Sequence, residues 1–167
     1  MAVNTWDGAT DTDWNTAGNW NTTGVTDRVP TADDDVVIAN VSNDPVIGGG
    51  LNPTINSLEI ESGGNLTAGA NTITIDGQSG TKSLLIDSGG DADFASSTIT
   101  ITTGATTRIV SRGVAGSQPN NLIINTAGNT VHCNANLQVD GNLTITAGTL
   151  TTLDTDGSTS RDLTVTG

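Results

Sequence analysis

The sequence contains few of the side chains that fill the interior of an ordinary globular domain. Its 167 residues include no tyrosine and one phenylalanine, and only 34% of them are apolar. A thick core needs large side chains, whereas a stacked repeat needs only a thin column of Leu, Ile and Val that each turn renews. The shortage of bulky residues therefore favours a repeat architecture.

Basic residues are also scarce. Five Lys and Arg side chains stand against 18 acidic ones, which gives a formal net charge of −13. Nucleic acids and anionic membranes are recognised through clustered Lys and Arg, so neither is an expected partner. A strongly acidic surface also keeps a β-rich particle soluble and discourages edge-to-edge pairing.

Several other features are missing. Cys133 is the single cysteine, which excludes an internal disulfide. No apolar run approaches the ~20 residues of a membrane span. The first residues, MAVNTWDGATDTDW, have neither the basic nor the apolar region of a secretory signal, so export by that route is not expected. No window repeats apolar residues at helical spacing, which argues against α-helices.

The most informative stretch is Ser57–Gly77, SLEIESGGNLTAGANTITIDG, which has strand-like alternation and glycine at its corners. Leu58 and Ile60 return 26 residues later as Leu84 and Ile86. The same shift relates Gly63 and Gly64 to Gly89 and Gly90, and Ile73 and Ile75 to Ile99 and Ile101. A segment that recurs at a fixed spacing is typical of a stacked repeat.

We therefore predict an all-β fold, a single-stranded parallel β-helix or β-solenoid of about five rungs. The later steps, from Leu122 to Leu143 and from Leu143 to Leu163, are 21 and 20 residues long and predict a rung of about 20 residues. An antiparallel β-sandwich or jelly roll is the alternative, because alternating strands with frequent turns would suit it too.

The chain divides into a non-repetitive part and a repetitive part. Residues 1–54 contain Trp6, Trp14 and Trp20 and are predicted to form an N-terminal cap and the first strands, because an open solenoid end must be covered. Residues 55–167 are the predicted repeats. An insertion at about 104–121 carries Arg108 and Arg112, and insertions in repeat proteins often form the contact face.

Two segments support a resemblance to known proteins. The pattern W…W…NW between residues 6 and 20, followed by VPTADDDVVI at 29–38, resembles the opening module of large phage virion and bacterial surface proteins that contain parallel β-helices. GNLTITAGTL at 141–150 is similar to rungs of autotransporter-like adhesins. The resemblance implies a β-solenoid at a virion or cell surface.

The Asp-rich turns are candidate calcium ligands. An EF-hand loop requires Asp at positions 1, 3 and 5, Gly at 6 and Glu at 12, which this chain does not match. Asp also closes turns by bonding nearby backbone, and we favour that interpretation. The candidate side chains are Asp87, Asp91, Asp93, Asp154 and Asp156.

No catalytic or cofactor-binding constellation is predicted. His132 and Cys133 are adjacent, and neighbouring residues of a strand point to opposite faces, so they cannot chelate one metal together. Carboxylate chemistry of the kind used by β-helix polysaccharide-degrading enzymes is the remaining enzymatic alternative. The repeats, however, offer only Phe94 as an aromatic side chain, no tyrosine and few basic residues to hold a sugar polymer.

The expected partners are other protein subunits. Leu163 and Val165 fall in a last rung that no capping segment follows, so this end is expected to be covered by further polypeptide or by self-association. The tryptophans are expected to pack as a cap, with a glycan-stacking platform as the alternative. A homo-oligomer fits this interpretation.

These observations favour a non-enzymatic structural protein of a bacteriophage virion surface, such as a capsid decoration, head fibre or tail-fibre component. The alternative is a fragment of a bacterial cell-surface adhesin that binds glycan or another surface. A polysaccharide-degrading enzyme is the third interpretation.

Overall fold

The computed structural model describes residues 1–94 and 96–167, and in them it is an all-β solenoid of about five turns. One 3₁₀ turn, Ala17–Asn19, precedes the second strand. No described element is a helix of the length and apolarity that a membrane span requires. The strands are β1 Ala2–Trp6, β2 Trp20–Thr22, β3 Asp34–Ile38, β4 Thr54–Ile55, β5 Ser57–Ile60, β6 Asn65–Thr67, β7 Thr72–Ile75, β8 Lys82–Ile86, β9 Asp91–Asp93, β10 Thr98–Ile101, β11 Thr107–Ser111, β12 Asn121–Cys133, β13 Leu137–Val139, β14 Leu143–Thr151 and β15 Leu163–Val165.

The strands stack into three parallel sheets. Sheet 1 contains β1, β3, β5, β8 and β11 and the final residues of β12 and β14. Sheet 2 contains the short strands β6 and β9, and further along the stack β13 and β15. Sheet 3 contains β4, β7 and β10 and the first residues of β12 and β14. Because β12 and β14 pass through the corner between them, sheets 1 and 3 are continuous at that end.

The repeat seen in the sequence is the register of the stack. Leu58 lies opposite Leu84, and Ile73 lies opposite Ile99, so the 26-residue recurrence is confirmed. The parallel pairing confirms the solenoid over the antiparallel sandwich.

The predicted step from Leu143 to Leu163 is wrong. Leu163 pairs with Leu137 in sheet 2, 26 residues earlier, whereas Leu143 pairs with Leu122 in sheet 3. Similar Leu-x-Val and Leu-x-Ile pairs occur in every sheet, so spacing alone assigned Leu163 to the wrong sheet.

The core is a narrow column of inward-facing side chains. In sheet 1 the column runs through Val36, Leu58, Leu84, Ile109 and Cys133, each at most 1% exposed. Alternate residues point outward because side chains of a strand alternate between its two faces. Medium-sized Ile, Leu and Val are enough to fill such a column, which explains the scarcity of aromatic residues.

The repeated glycine pair marks a corner where two backbones approach closely. A Cβ atom on Gly64 would lie 2.4 Å from the carbonyl oxygen of Ile38, and one on Gly90 would lie 2.9 Å from that of Ile60. The preceding residues, Gly63 and Gly89, have φ angles of 81° and 90°. Only glycine both adopts such a positive φ angle and leaves room for such a close backbone approach without strain.

The segment 104–121 largely follows the solenoid. It contains β11, which pairs with β8 on one side and β12 on the other. Residues 112–120 take the place of a regular strand beside β9, where the Ser117 hydroxyl accepts a 3.1 Å hydrogen bond from the backbone N–H of Ala92. The excursion is therefore shorter than the sequence pattern indicates.

Candidate interaction surfaces

The two ends of the solenoid differ. At the N-terminal end Trp6, Trp14 and Trp20 are at most 1% exposed. Trp6 and Trp14 each meet Trp20 edge-on, with ring centroids 4.9 and 4.7 Å from those of Trp20. Strand β2 turns back antiparallel to β1 and forms the outermost strand of sheet 1. Since all three indoles are buried, no ring face is available to stack against a sugar.

An ion pair holds the loop that leads into β3. The guanidinium of Arg28 donates hydrogen bonds to both carboxylate oxygens of Asp34, the Nη2 bond being 2.7 Å long. Thr31 donates to the same carboxylate through its backbone N–H and its hydroxyl. Burial raises the pKa of Asp34, but the bonds from Arg28 and Thr31 outweigh it and hold this pKa below its ordinary value of 3.8.

At the other end the inward column is open. Ile145 and Val165 face inward, in register with Ile124 and Val139 of the preceding turn. Ile124 and Val139 are fully buried, whereas Ile145 is 49% and Val165 44% exposed. Leu163 is half-buried. Among the described strands β14 has only β12 as a neighbour and β15 only β13, so their outer backbone groups are unpaired.

The outer face of sheet 1 carries charges in a fixed order. Asp35 lies opposite Ser57, and further along the stack Lys82 lies opposite Arg108, which in turn lies opposite His132. The neighbouring outward positions are Val37, Glu59, Leu85 and Val110. Acidic side chains therefore occupy the first turns of this face and basic side chains the later ones.

A groove of about 230 Å³ runs over the acidic half of this face. Val3, Val37 and Leu85 contribute apolar surface, and Glu59 and Lys82 contribute opposite charges. Burial raises the pKa of the Glu59 carboxyl above its ordinary value of 4.5, and the nearby Lys82 ammonium offsets only part of that effect.

The basic residues of this face form no ion pair within 4 Å among the described residues. Arg28 and Arg161 form the only ion pairs among the described residues, with Asp34 and Asp154. Lys82, Arg108 and Arg112 consequently have no carboxylate within 4 Å in the described part of the chain, and the Nε of Arg108 is buried without a hydrogen-bond partner there. Arg108 and Arg112, predicted as contact residues, thus lie on β11 and directly after it.

A second groove, of about 320 Å³, lies beside β13 and β15 and is polar. Its lining includes Gln118, Gln138 and Thr164 together with Ser111 at the end of β11. Ser111 is 8% exposed, and its hydroxyl has no partner among the described residues.

Three of the five predicted calcium candidates accept hydrogen bonds from nearby protein groups through their carboxylates. Asp154 accepts the backbone N–H groups of Ser158 and Thr159, and Asp156 accepts that of Ser158. The Asp91 carboxylate accepts the Ser117 hydroxyl at 2.7 Å. Within residues 1–94 and 96–167, no group of three or more His, Cys, Asp or Glu side chains is placed to hold a metal ion.

His132 and Cys133 face opposite sides of their strand. Cys133 is fully buried, and burial raises the pKa of its thiol to about 11. His132 is half-buried, and its Nδ1 lies 3.0 Å from the carbonyl oxygen of Leu153.

The apolar and glycine pattern of the repeat gives no sign of the outward charges Asp35, Glu59 and Lys82. The one signal in the sequence is the 26-residue spacing itself, which places Lys82 beside Arg108.

Residues 5–86, which span most of the cap and the first turns, match a family described as a domain of unknown function (DUF8693). No curated protein matches the chain. No solved structure matches it either.

Proposed function

We propose that this protein is a non-enzymatic structural component of a bacteriophage virion surface, joined to neighbouring polypeptide through its last turn. The observation that carries the proposal is the contrast between the two ends. Three indoles are buried at the first turn, while inward-facing Ile145 and Val165 are about half exposed at the last.

A neighbour of the last turn would be held by both side-chain and backbone contacts. Burial of apolar surface is worth roughly 25 cal/mol per Å², so a turn stacked on Ile145, Val165 and Leu163 gains stability from contact area alone. The unpaired edges of β14 and β15 supply hydrogen bonds to the same neighbour, as in β-strand addition. Both contributions favour a neighbour with β structure.

The virion setting rests on the resemblance of residues 6–38 to the opening module of phage and surface proteins. The acidic exterior and the parallel solenoid suit a stiff spacer between other proteins. The proposal assigns the protein to a capsid decoration, head fibre or tail-fibre component.

Purified virions from a lysate that expresses this chain provide the test. We expect peptides of the chain in gradient-purified particles, at a constant ratio to the capsid protein, and antibody labelling of the particle surface. Its recovery only from the soluble fraction of lysed cells would refute the virion assignment.

The contact itself is tested with the double substitution Ile145→Asn and Val165→Asn. We expect loss of incorporation with little change in melting temperature, because these side chains are already half exposed. The matched control is Thr144→Asn, an exposed position of the same strand. Normal incorporation of the double variant would exclude the last turn as the attachment site.

The polar groove beside β13 and β15 favours a second candidate, a bacterial surface adhesin that binds glycan. Its amide and hydroxyl side chains, with the unpartnered Ser111 hydroxyl, match the hydrogen-bonding groups of a sugar. Ser111→Val should abolish glycan binding in an array experiment, while the virion proposal expects no glycan signal at all.

A further inference from the structure

Within β3, β5, β8 and β11, the charged outward side chains of sheet 1 change sign once along the solenoid axis, and Asp87, directly after β8, adds a further carboxylate at the edge of this face. Asp35 and Glu59 lie on β3 and β5, and Lys82 and Arg108 lie on β8 and β11. Val37, Glu59, Leu85 and Val110 occupy corresponding outward positions of these four strands. Asp35 and Arg108 each lie two residues before that position, and a register shift between β8 and β11 brings Lys82 opposite Arg108.

Within one chain this arrangement is unfavourable. Lys82 and Arg108 lie directly opposite each other on neighbouring strands, a placement that destabilises a sheet. Asp35 lies three strands from Arg108, about 14 Å at the usual strand spacing. That separation exceeds the Debye length of about 8 Å at physiological ionic strength, so the two charges do not compensate each other.

The Asp35 and Arg108 positions are complementary when two copies meet. An isologous interface requires that one patch match itself after a twofold rotation. A twofold axis that runs parallel to the strands, between β5 and β8, inverts the order of the turns and keeps the position along each strand. It places Asp35 opposite Arg108 of the second copy and Val37 opposite Val110 of the second copy.

We propose that this face binds a second copy of the chain, with the two solenoid axes antiparallel and the Asp35–Arg108 pair formed twice between the copies. Glu59 then faces the strand that carries Lys82 of the other copy. The proposal does not depend on the proposed virion function, because it uses the side of the solenoid and not its last turn.

A second copy fits better than an anionic polymer. A nucleic acid or acidic polysaccharide would meet Lys82 and Arg108 but would be repelled by Asp35 and Glu59 on the same face. A partner whose charges run in the opposite order forms favourable contacts with both the acidic strands and the basic strands. A second copy presents that opposite order after the twofold rotation.

The contact is chiefly electrostatic. Val3 is 40% exposed and Val37 is half-buried, but Leu85 and Val110 are already only 6% and 5% exposed. Little apolar area remains to be buried between the copies. We therefore expect a moderately weak dimer that dissociates as salt is added.

Sedimentation velocity of the full chain tests the proposal by charge exchange. At an ionic strength of about 0.1 M, where salt screens the long-range repulsion between the two net charges more than the paired contacts, we expect a dimer, and at about 1 M a monomer. Arg108→Asp and Asp35→Arg should each weaken dimerisation by at least about tenfold, because each brings like charges together. The double variant should restore dimerisation to within about threefold of the original chain, since the exchanged pair re-forms only between copies.

Controls separate folding from association. Asp35 accepts hydrogen bonds from Asn56 and Ser57, so the melting temperature of each variant is recorded. If a reversal prevents folding, the neutral pair Arg108→Gln and Asp35→Asn replaces it, and each should weaken the dimer without rescue by the double variant. Asp76→Arg changes the net charge equally at an exposed site after β7 and should leave dimerisation unchanged.

Two results would overturn the inference. One is a monomer at every salt concentration. The other is a dimer whose stability is unchanged in the Asp35 and Arg108 variants but which is lost in the Ile145→Asn and Val165→Asn variant. That result would assign association to the last turn and leave the proposed function intact.

Discussion

The indole Nε1 of Trp20 donates a 2.8 Å hydrogen bond to the backbone carbonyl of Trp14, whose own ring it meets edge-on at 4.7 Å. This contact joins the returning strand β2 to the loop that precedes it. The N-terminal end of the solenoid is thus closed by a cluster of three indoles, which pack edge-on against one another and are linked by this hydrogen bond.

Substitution of Trp20 by Ala should lower the free energy of unfolding by about 3–5 kcal/mol, because it leaves a large cavity and exposes the first turn. Trp20→Phe, which keeps a ring but loses the hydrogen bond to Trp14, should cost less. Urea denaturation measures both. Val25→Ala, at a side chain 56% exposed, is the control and should have little effect. A Trp20→Ala protein as stable as the original would show that the cluster does not stabilise the end.

The Arg28–Asp34 pair should make stability fall in acid. The pKa of Asp34 is lower in the folded protein than its ordinary value of 3.8. A carboxyl with a lowered pKa contributes stability above its unfolded pKa, and the contribution disappears as the pH falls through the folded value.

Asp34→Asn should therefore be less stable than the original chain by about 2 kcal/mol at neutral pH, the usual worth of hydrogen bonds to a charged group. The difference between the two proteins should shrink as the pH is lowered below about 4. Thermal melts at several pH values test this, and the other carboxylates cancel in the comparison. A difference that stayed constant down to about pH 2 would contradict the assignment.

The corner glycines predict a sharp contrast between two Gly→Ala substitutions. At Gly64 the new methyl group would lie 2.4 Å from the carbonyl oxygen of Ile38, and the backbone must move to admit it. We expect a loss of about 1–3 kcal/mol in unfolding free energy. At Gly104 a Cβ meets nothing within 4 Å, and the same substitution should be neutral or slightly stabilising. Equal effects at the two sites would refute the close-approach explanation.

The Cys133 thiol should react slowly in the folded protein. It is fully buried, and its pKa is raised to about 11, so the reactive thiolate is scarce near neutral pH. A colorimetric thiol reagent should label the native chain far more slowly than the chain in concentrated urea. Rapid stoichiometric labelling of the native protein would mean that this part of sheet 1 opens readily.

Much of the fold followed from local patterns. Leu58 and Ile60 match Leu84 and Ile86 because equivalent inward positions of successive turns meet the same environment, and the structure confirms that register. The assignment of Leu163 was wrong because an apolar pair on sheet 2 looks the same as one on sheet 3. The candidate surfaces were harder to predict, because most charged outward positions change residue type from one turn to the next, as Glu59 and Leu85 do.

By itself the sequence determined that the chain forms a thin stacked column, because it supplies alternating Ile, Leu and Val, glycine corners and too few large side chains for anything thicker. Only the tertiary structure decided which outward side chains meet. The spacing between paired residues is 21 residues from Leu122 to Leu143 and 26 from Leu137 to Leu163, so no single spacing relates the surface positions. The backbone pairing of turns of unequal length decides that Asp35 meets Ser57, 22 residues later, and leaves Ile145 and Val165 about half exposed.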